Sequence, residues 1–167
     1  MSEIDKINEK SAALLALTAN QQTLLLSTAS LSGEPDLSYA PFVRDPSGNF
    51  YIFISELALH TRNLQANPKA SVMFISPESK SPNLFARERV IYTCSAQQIA
   101  RNEPRYNTQL LALQEHFGSI ITMLSSLSDF HLFTLCPANG RYIAGFGQAY
   151  DINSVDGSLT LVTGKKP

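Results

Sequence analysis

The 167 residues contain no tryptophan and only two cysteines, Cys94 and Cys136. The two cysteines fall in strand-like segments at a spacing that matches no metal or redox motif, so the expectation is a pair of reduced thiols and a cytoplasmic setting. No apolar run approaches the roughly 20 residues that span a bilayer, and the opening MSEIDKINEK lacks the apolar centre of a signal peptide. Neither sign of charge dominates: 13 basic residues face 14 acidic ones, a net charge of −1. That balance supplies no electrostatic drive toward nucleic acid or a membrane. There is no HExxH, no clustered Cys/His, no GxSxG and no phosphate-binding loop, which removes zinc proteases, serine hydrolases and nucleoside triphosphatases. The GFG at 145–147 has no strand–GxGxxG–helix setting and reads as a turn.

What remains is a chain with 44% hydrophobic and 16% charged residues, long enough for one domain with a real core. Residues 2–19 predict an amphipathic helix capped by Ser2, with Ile4, Ile7, Leu14 and Leu15 at helical spacing. Apolar segments at 23–29 and 38–43, joined by the turn Ser32–Pro35, predict an antiparallel hairpin. Pro41 donates no hydrogen bond and predicts an edge or a bulge there. Strands follow at 50–54 and 70–75, a polar, mobile loop at 76–83, and a long strand within 85–100. From 102 to 128 the period becomes helical: Asn102 is the expected cap, Tyr106, Leu110, Leu113 and Phe117 share a face, and Gly118 separates a second piece. Strands at 130–136 and 141–144 are expected on either side of a turn at Pro137–Gly140. The predicted domain is 1–152, with 153–167 as a fraying tail that ends in Lys165-Lys166. Six or seven short strands, mostly joined by tight turns, predict a mainly β fold with peripheral helices, a closed or half-closed antiparallel barrel. The strand–helix–strand segment at 50–75 could mimic a parallel crossover, against the hairpin-like connections elsewhere.

The chemistry gathers around residues 55–68, SELALHTRNLQANP. Strand end, polar turn and helix start bring Ser55, His60, Thr61 and Arg62 close in sequence, and a helix N-terminus offers unpaired N–H groups to an anion. Arg87 and Arg89 are expected on one face of a strand, with Glu88 on the other, so their charges invite an anion between the two elements. Such an anion gains roughly 1.5–3 kcal/mol per charge-assisted bond. The plainer readings are a solvated helix start and an exposed basic strand. The walls for a flat ring would be residues 38–42 and 52–55. His116, late on a helix, reads as a surface residue. His131, beside Asp129, is either a structural histidine or one oriented for metal or proton chemistry.

Five segments together resemble the haem-utilisation proteins of the pyridoxamine 5'-phosphate oxidase-like, FMN-binding split-barrel superfamily: SYAPFV (38–43), SELALHTRNLQANP (55–68), LFARERV (84–90), LSDFHLF (127–133) and GFGQAY (145–150). The resemblance covers roughly residues 12–152. It implies a six-stranded split β-barrel, a homodimer with cofactor sites at the subunit interface, and FMN or haem as cofactor. In flavin-binding relatives the phosphate sits on basic residues that correspond here to His60–Arg62 and to Arg87 or Arg89; the oxidase's Ser-Arg-Lys pattern is Ala58-Leu59-His60 in this chain. In haem-degrading relatives an axial histidine comes from a C-terminal tail. No histidine follows His131 here, so a haem iron would take His60, His116, His131 or a non-histidine ligand, with His131 the metal candidate. The implied activities are oxidative haem degradation, FMN-dependent oxidoreduction, or haem carriage without turnover, with a cofactor-free interaction scaffold as the plainest alternative.

Overall fold

The structure, a computed structural model, describes residues 2–163. Helix α1 (Glu3–Ala19) starts where expected. The Ser2 hydroxyl accepts from the Asp5 N–H, and the Asp5 carboxylate accepts from the Ser2 N–H, a reciprocal capping box. The buried face matches the expected one only in part. Leu14, Leu17 and Thr18 are buried, while Ile4 and Leu15 face solvent.

Among the described residues eight strands form one sheet: β1 (Thr23–Ala29), β2 (Pro35–Arg44), β3 (Phe50–Ser55), β4 (Lys69–Ile75), β5 (Arg89–Ile99), β6 (Phe130–Gly145), β7 (Gln148–Ile152) and β8 (Leu159–Leu161). Their order is β3-β2-β1-β4-β5-β6-β7-β8, and β3 also pairs with β6, which closes the first six strands into an antiparallel barrel. Helix α2 (Leu59–Ala66) joins β3 to β4, which are not neighbours in the sheet, so the segment at 50–75 is no parallel crossover. Helices α3 (Pro104–Phe117) and α4 (Ile120–Ser125) join β5 to β6. Glu103, not Asn102, is the α3 N-cap, with Pro104 at the first helical position and Gly118 ending the helix at φ 80°. The loop at 76–83 is partly ordered as a 3-10 turn at Glu78–Lys80, and a second turn, Leu84–Ala86, follows it.

Two prolines mark where a strand changes neighbour. The β1–β2 register runs to the Thr23–Pro41 pair, and the β2–β3 register begins at Phe42–Ile52. Pro41 therefore sits at the change-over, where a missing N–H costs least. The expected turn at Pro137–Gly140 is corrected: β6 runs unbroken from Phe130 to Gly145. Its pairing with β3 ends at Leu135 and that with β7 begins at Gly140, so Pro137 falls between those two pairings. Gly140 is there for space, not for a turn. A Cβ at that position would lie 2.8 Å from Ile152 Cδ1 and 2.9 Å from Tyr92 Cε1.

The chain divides into two compact units, with β4, β5 and β6 contributing to both. The unit made of residues 22–72 and 94–137 holds a core of Tyr51, Phe53, Ile99, Tyr106, Leu113, Ile121 and Leu132. The predicted α3 face, Tyr106, Leu110, Leu113 and Phe117, packs into that cluster. The unit made of residues 1–21, 73–93 and 138–167 contains the fully buried Phe74, Val90 and Tyr142. In it β8 pairs with β7 through Leu159–Ile152, a third strand inside the expected tail. Lys165 and Lys166 lie outside the described residues. Among the described residues no helix is long and apolar enough to cross a membrane.

Candidate functional site

The entry to α2 is built from the end of β3 outward. The Ser55 hydroxyl donates to Asp129 Oδ2 at 2.7 Å and accepts from the Leu57 N–H at 3.1 Å, while the Glu56 N–H donates to the Asp129 carbonyl at 2.9 Å. Ser55 thus ties the strand-to-helix turn to the start of β6. It does not cap the helix: the N-cap is Ala58, which has no side-chain acceptor, so the first N–H groups of α2 stay open.

Beyond that turn the predicted residues diverge. His60 is half-buried, Thr61 fully buried and Arg62 exposed. The His60 Nδ1 lies 2.9 Å from Ser38 Oγ, and the Ser38 hydroxyl donates to the Leu26 carbonyl at 3.2 Å. A hydroxyl has one proton. Once Ser38 has given it to Leu26, the bond to His60 needs an Nδ1–H donor, and the proton assignment of the ring follows. Burial pushes the His60 pKa below its ordinary value, partly opposed by the Asp36 carboxylate, so the ring is neutral at pH 7 with its lone pair on Nε2. The Thr61 hydroxyl has no hydrogen-bond partner among the described residues. Asn63, one position from Arg62, is buried and donates from Nδ2 to Thr28 Oγ1 at 3.0 Å.

His131 has different company from the one its sequence neighbours suggest. Asp129 is taken by Ser55, and the imidazole Nε2 instead meets Glu56 Oε1 at 2.5 Å. Nδ1 lies 3.1 Å from Gln98 Nε2. With Nε2–H donated to the carboxylate, Nδ1 is left to accept from the amide, and both ring nitrogens are occupied. His116 is exposed at the end of α3, edge-on to the Phe117 ring at 4.6 Å.

Arg87 and Arg89 belong to the other unit. They do not share a strand face, because β5 begins only at Arg89 and Arg87 closes the Leu84–Ala86 turn. Nor does Arg87 wait for an external anion: its Nη2 donates to the Ser76 carbonyl at 2.6 Å and its Nη1 pairs with Glu78 Oε1 at 3.4 Å. Arg89 Nη1 donates to the Arg87 carbonyl at 2.9 Å. Between them, Glu88 accepts from the phenol of Tyr142 at 2.5 Å and from the Ser76 hydroxyl at 3.2 Å. Burial, reinforced by that carboxylate, drives the Tyr142 pKa well above its ordinary value. Sequence reading missed Ser38, Glu56 and Gln98 as partners of the histidines. The alternation of β2 places Ser38 on the same side as the buried Ala40 and Phe42, but only its pairing to α2 reveals the role.

The family model for pyridoxamine 5'-phosphate oxidase matches residues 10–144. The heme oxygenase HutZ of Vibrio cholerae is 40% identical over 136 residues, 81% of this chain and 77% of that protein. The crystal structure of HutZ, described there as a heme storage protein, superposes with a TM-score of 0.71 at 37% identity, covering 75% of this chain and 88% of that one. ChuZ of Campylobacter jejuni superposes at 0.81 with 34% identity, covering 93% of this chain and 63% of that one. The chain belongs to the pyridoxamine 5'-phosphate oxidase family, among the haem-utilisation members of that split-barrel superfamily.

Proposed function

We propose that this protein binds haem and serves haem utilisation, as a degrading oxidoreductase or as a carrier. The observation that carries the reading is the 40% identity to a heme oxygenase over 136 residues, a stretch that takes in most of the chain. Residues of the kinds the group calls for are present in and before α2. A porphyrin brings four nitrogens to its iron and asks the protein for an imidazole, an apolar wall and cations for its propionates. In the unit that holds α2, His60 offers a neutral imidazole, Leu57 and Leu59 are exposed apolar side chains beside it in the chain, and Arg62 is an exposed cation. When bound, haem supplies the redox chemistry of its iron; the protein's part is to orient it and to exclude water.

A second reading, an FMN-dependent oxidoreductase, draws on a different observation. The uncapped start of α2 presents open N–H groups, and the buried Thr61 hydroxyl beside them has no partner among the described residues. Both are the donors that a flavin phosphate would use. Parallel visible titrations of the protein with haemin and with FMN separate the two. The expected result is a saturable, shifted Soret band with no flavin response. Saturable flavin quenching without a specific haem spectrum would replace the first reading by the second. For the haem form, one turnover with a chemical reductant under air then divides degradation, in which the Soret band bleaches, from carriage, in which it persists.

A further inference from the structure

We infer that the Glu56–His131 bond is a latch that holds the turn into α2 closed against β6, with Gln98 of β5 as the positioning residue of its imidazole. The latch belongs to the ligand-free chain and is independent of the haem reading above. Its residues all lie in one compact unit, the one made of residues 22–72 and 94–137. The turn is anchored at both ends. Ser55 pairs in register with Phe130, its hydroxyl bonds to Asp129, and the Glu56 N–H donates to the Asp129 carbonyl. The next ties along the chain are the His60 bond to Ser38 and the buried Thr61. Between these anchors Leu57 is 88% and Leu59 50% exposed. The Leu57 and Ala58 N–H groups donate only to Ser55, to its hydroxyl and its carbonyl, so those bonds stay within the turn. Among the described residues, one side chain of 56–59 bonds to the rest of the fold: Glu56 Oε1 lies 2.5 Å from His131 Nε2.

The latch has a direction. A carboxylate only accepts, so His131 gives its Nε2–H to Glu56 and keeps a lone pair on Nδ1. That lone pair faces the Gln98 Nε2 at 3.1 Å, an N–H donor, and Gln98 Oε1 in turn accepts from Gln65 Nε2 at 3.5 Å. Every donor points the same way: from Gln65 near the end of α2, through β5 and β6, to Glu56 before the start of α2. Bonds aligned in a row strengthen one another, and the row fixes which ring nitrogen carries the proton. The bond that opens is the last. The Glu56 side chain is 51% exposed and that of His131 18%, so the carboxylate can trade the imidazole for water while the ring stays seated. A turn with local backbone bonds and exposed side chains belongs to the part of a fold that opens at least cost. Release of Glu56 frees residues 56–59 between their two anchors and uncovers the uncapped start of α2.

Amide hydrogen exchange of the ligand-free protein, read residue by residue by NMR, measures the opening. The Leu57 and Ala58 amides are the reporters, and the amides of the β1–β2 hairpin control for global unfolding. Glu56→Ala and His131→Phe each remove one half of the latch. Both should speed exchange of the two reporters by about tenfold with the hairpin unchanged. Glu56→Gln keeps an acceptor without the charge and should fall between wild type and Glu56→Ala. Long-range proton–nitrogen spectra of the imidazoles read the relay directly. Neutral His131 of wild type should carry its proton on Nε2, and Gln98→Leu should let the ring sample both tautomers and so move the Nδ1 resonance. Reporter exchange that stays at the wild-type rate in Glu56→Ala overturns the latch. A neutral wild-type His131 with its proton on Nδ1 overturns it too, and that measurement needs no variant to fold.

Discussion

A buried hydroxyl without a hydrogen-bond partner costs a folded chain about 1–3 kcal/mol, and that of Thr61 in α2 has none among the described residues. Valine has the same branched shape and no hydroxyl. Thr61→Val should therefore stabilise the ligand-free protein by about 1 kcal/mol, read as a rise in the urea midpoint at unchanged slope. If the hydroxyl instead serves FMN, the variant loses flavin affinity and gains stability together, so one substitution reports on both. The same local view explains which site residues sequence could show. Thr61 and His60 were visible because helix-start chemistry is confined to a few consecutive residues. The partners that define the histidines were not. Glu56 is 75 residues from His131, and Ser38 is 22 from His60. Proximity in sequence pointed to Asp129 for His131, and the turn at Ser55 had already claimed that carboxylate. For Arg87 and Arg89, a shared strand face failed because the strand begins two residues later than the first arginine, whose charge is met by Glu78.

At the scale of elements, legibility followed the range of the forces. The Ser2 cap of α1, the β1–β2 hairpin and the apolar face of α3 depend on residues within a turn or a hairpin of each other, and each was readable; the reciprocal bond from Asp5 was not. The long strand β6 was not. Pro137 and Gly140 have the composition of a turn, but here one falls between two pairing partners and the other makes room for two side chains. Space, as opposed to a left-handed backbone, is the reason for this glycine, and that distinction has a measurable consequence. Gly140→Ala places a methyl carbon 2.8 Å from Ile152 Cδ1, 2.9 Å from Tyr92 Cε1 and 3.0 Å from Ile152 Cβ. The ring and the strand must move apart, an overpacking cost of about 1–3 kcal/mol. Chemical denaturation of the variant should show that loss. An unchanged midpoint would mean that Ile152 and Tyr92 yield freely. The buried side of α1 shows the same limit from another direction. Spacing marked Ile4, Ile7, Leu14 and Leu15; tertiary packing buried Leu14 together with Leu17 and left Ile4 and Leu15 in solvent.

For the whole molecule the outer side of β2 is the largest consequence of its alternation. Along that strand Asp36, Ser38, Ala40 and Phe42 turn toward the interior side, while Pro35, Leu37, Tyr39 and Pro41 face out. Leu37 is 75% and Tyr39 64% exposed, and Leu31 in the preceding turn is 79% exposed, an apolar row that a lone chain leaves in water. A second copy of the chain is the proposed cover, in keeping with the homodimer that the family resemblance implies. A two-fold axis would lay the row on itself. Burying the three large side chains contributes on the order of 1.5–3 kcal/mol each before the cost of association. Leu37→Glu with Tyr39→Glu would put four like charges across such an axis, so light scattering should find a monomer where wild type is a dimer, with circular dichroism unchanged. An unchanged mass in the double variant would clear this face of a role in assembly. The monomer also isolates the site. Ser38 lies between the two substituted positions but turns the other way, toward His60. A monomer that still binds haemin saturably would place the pocket within one chain, and loss of haem without loss of fold would make the partner part of the pocket.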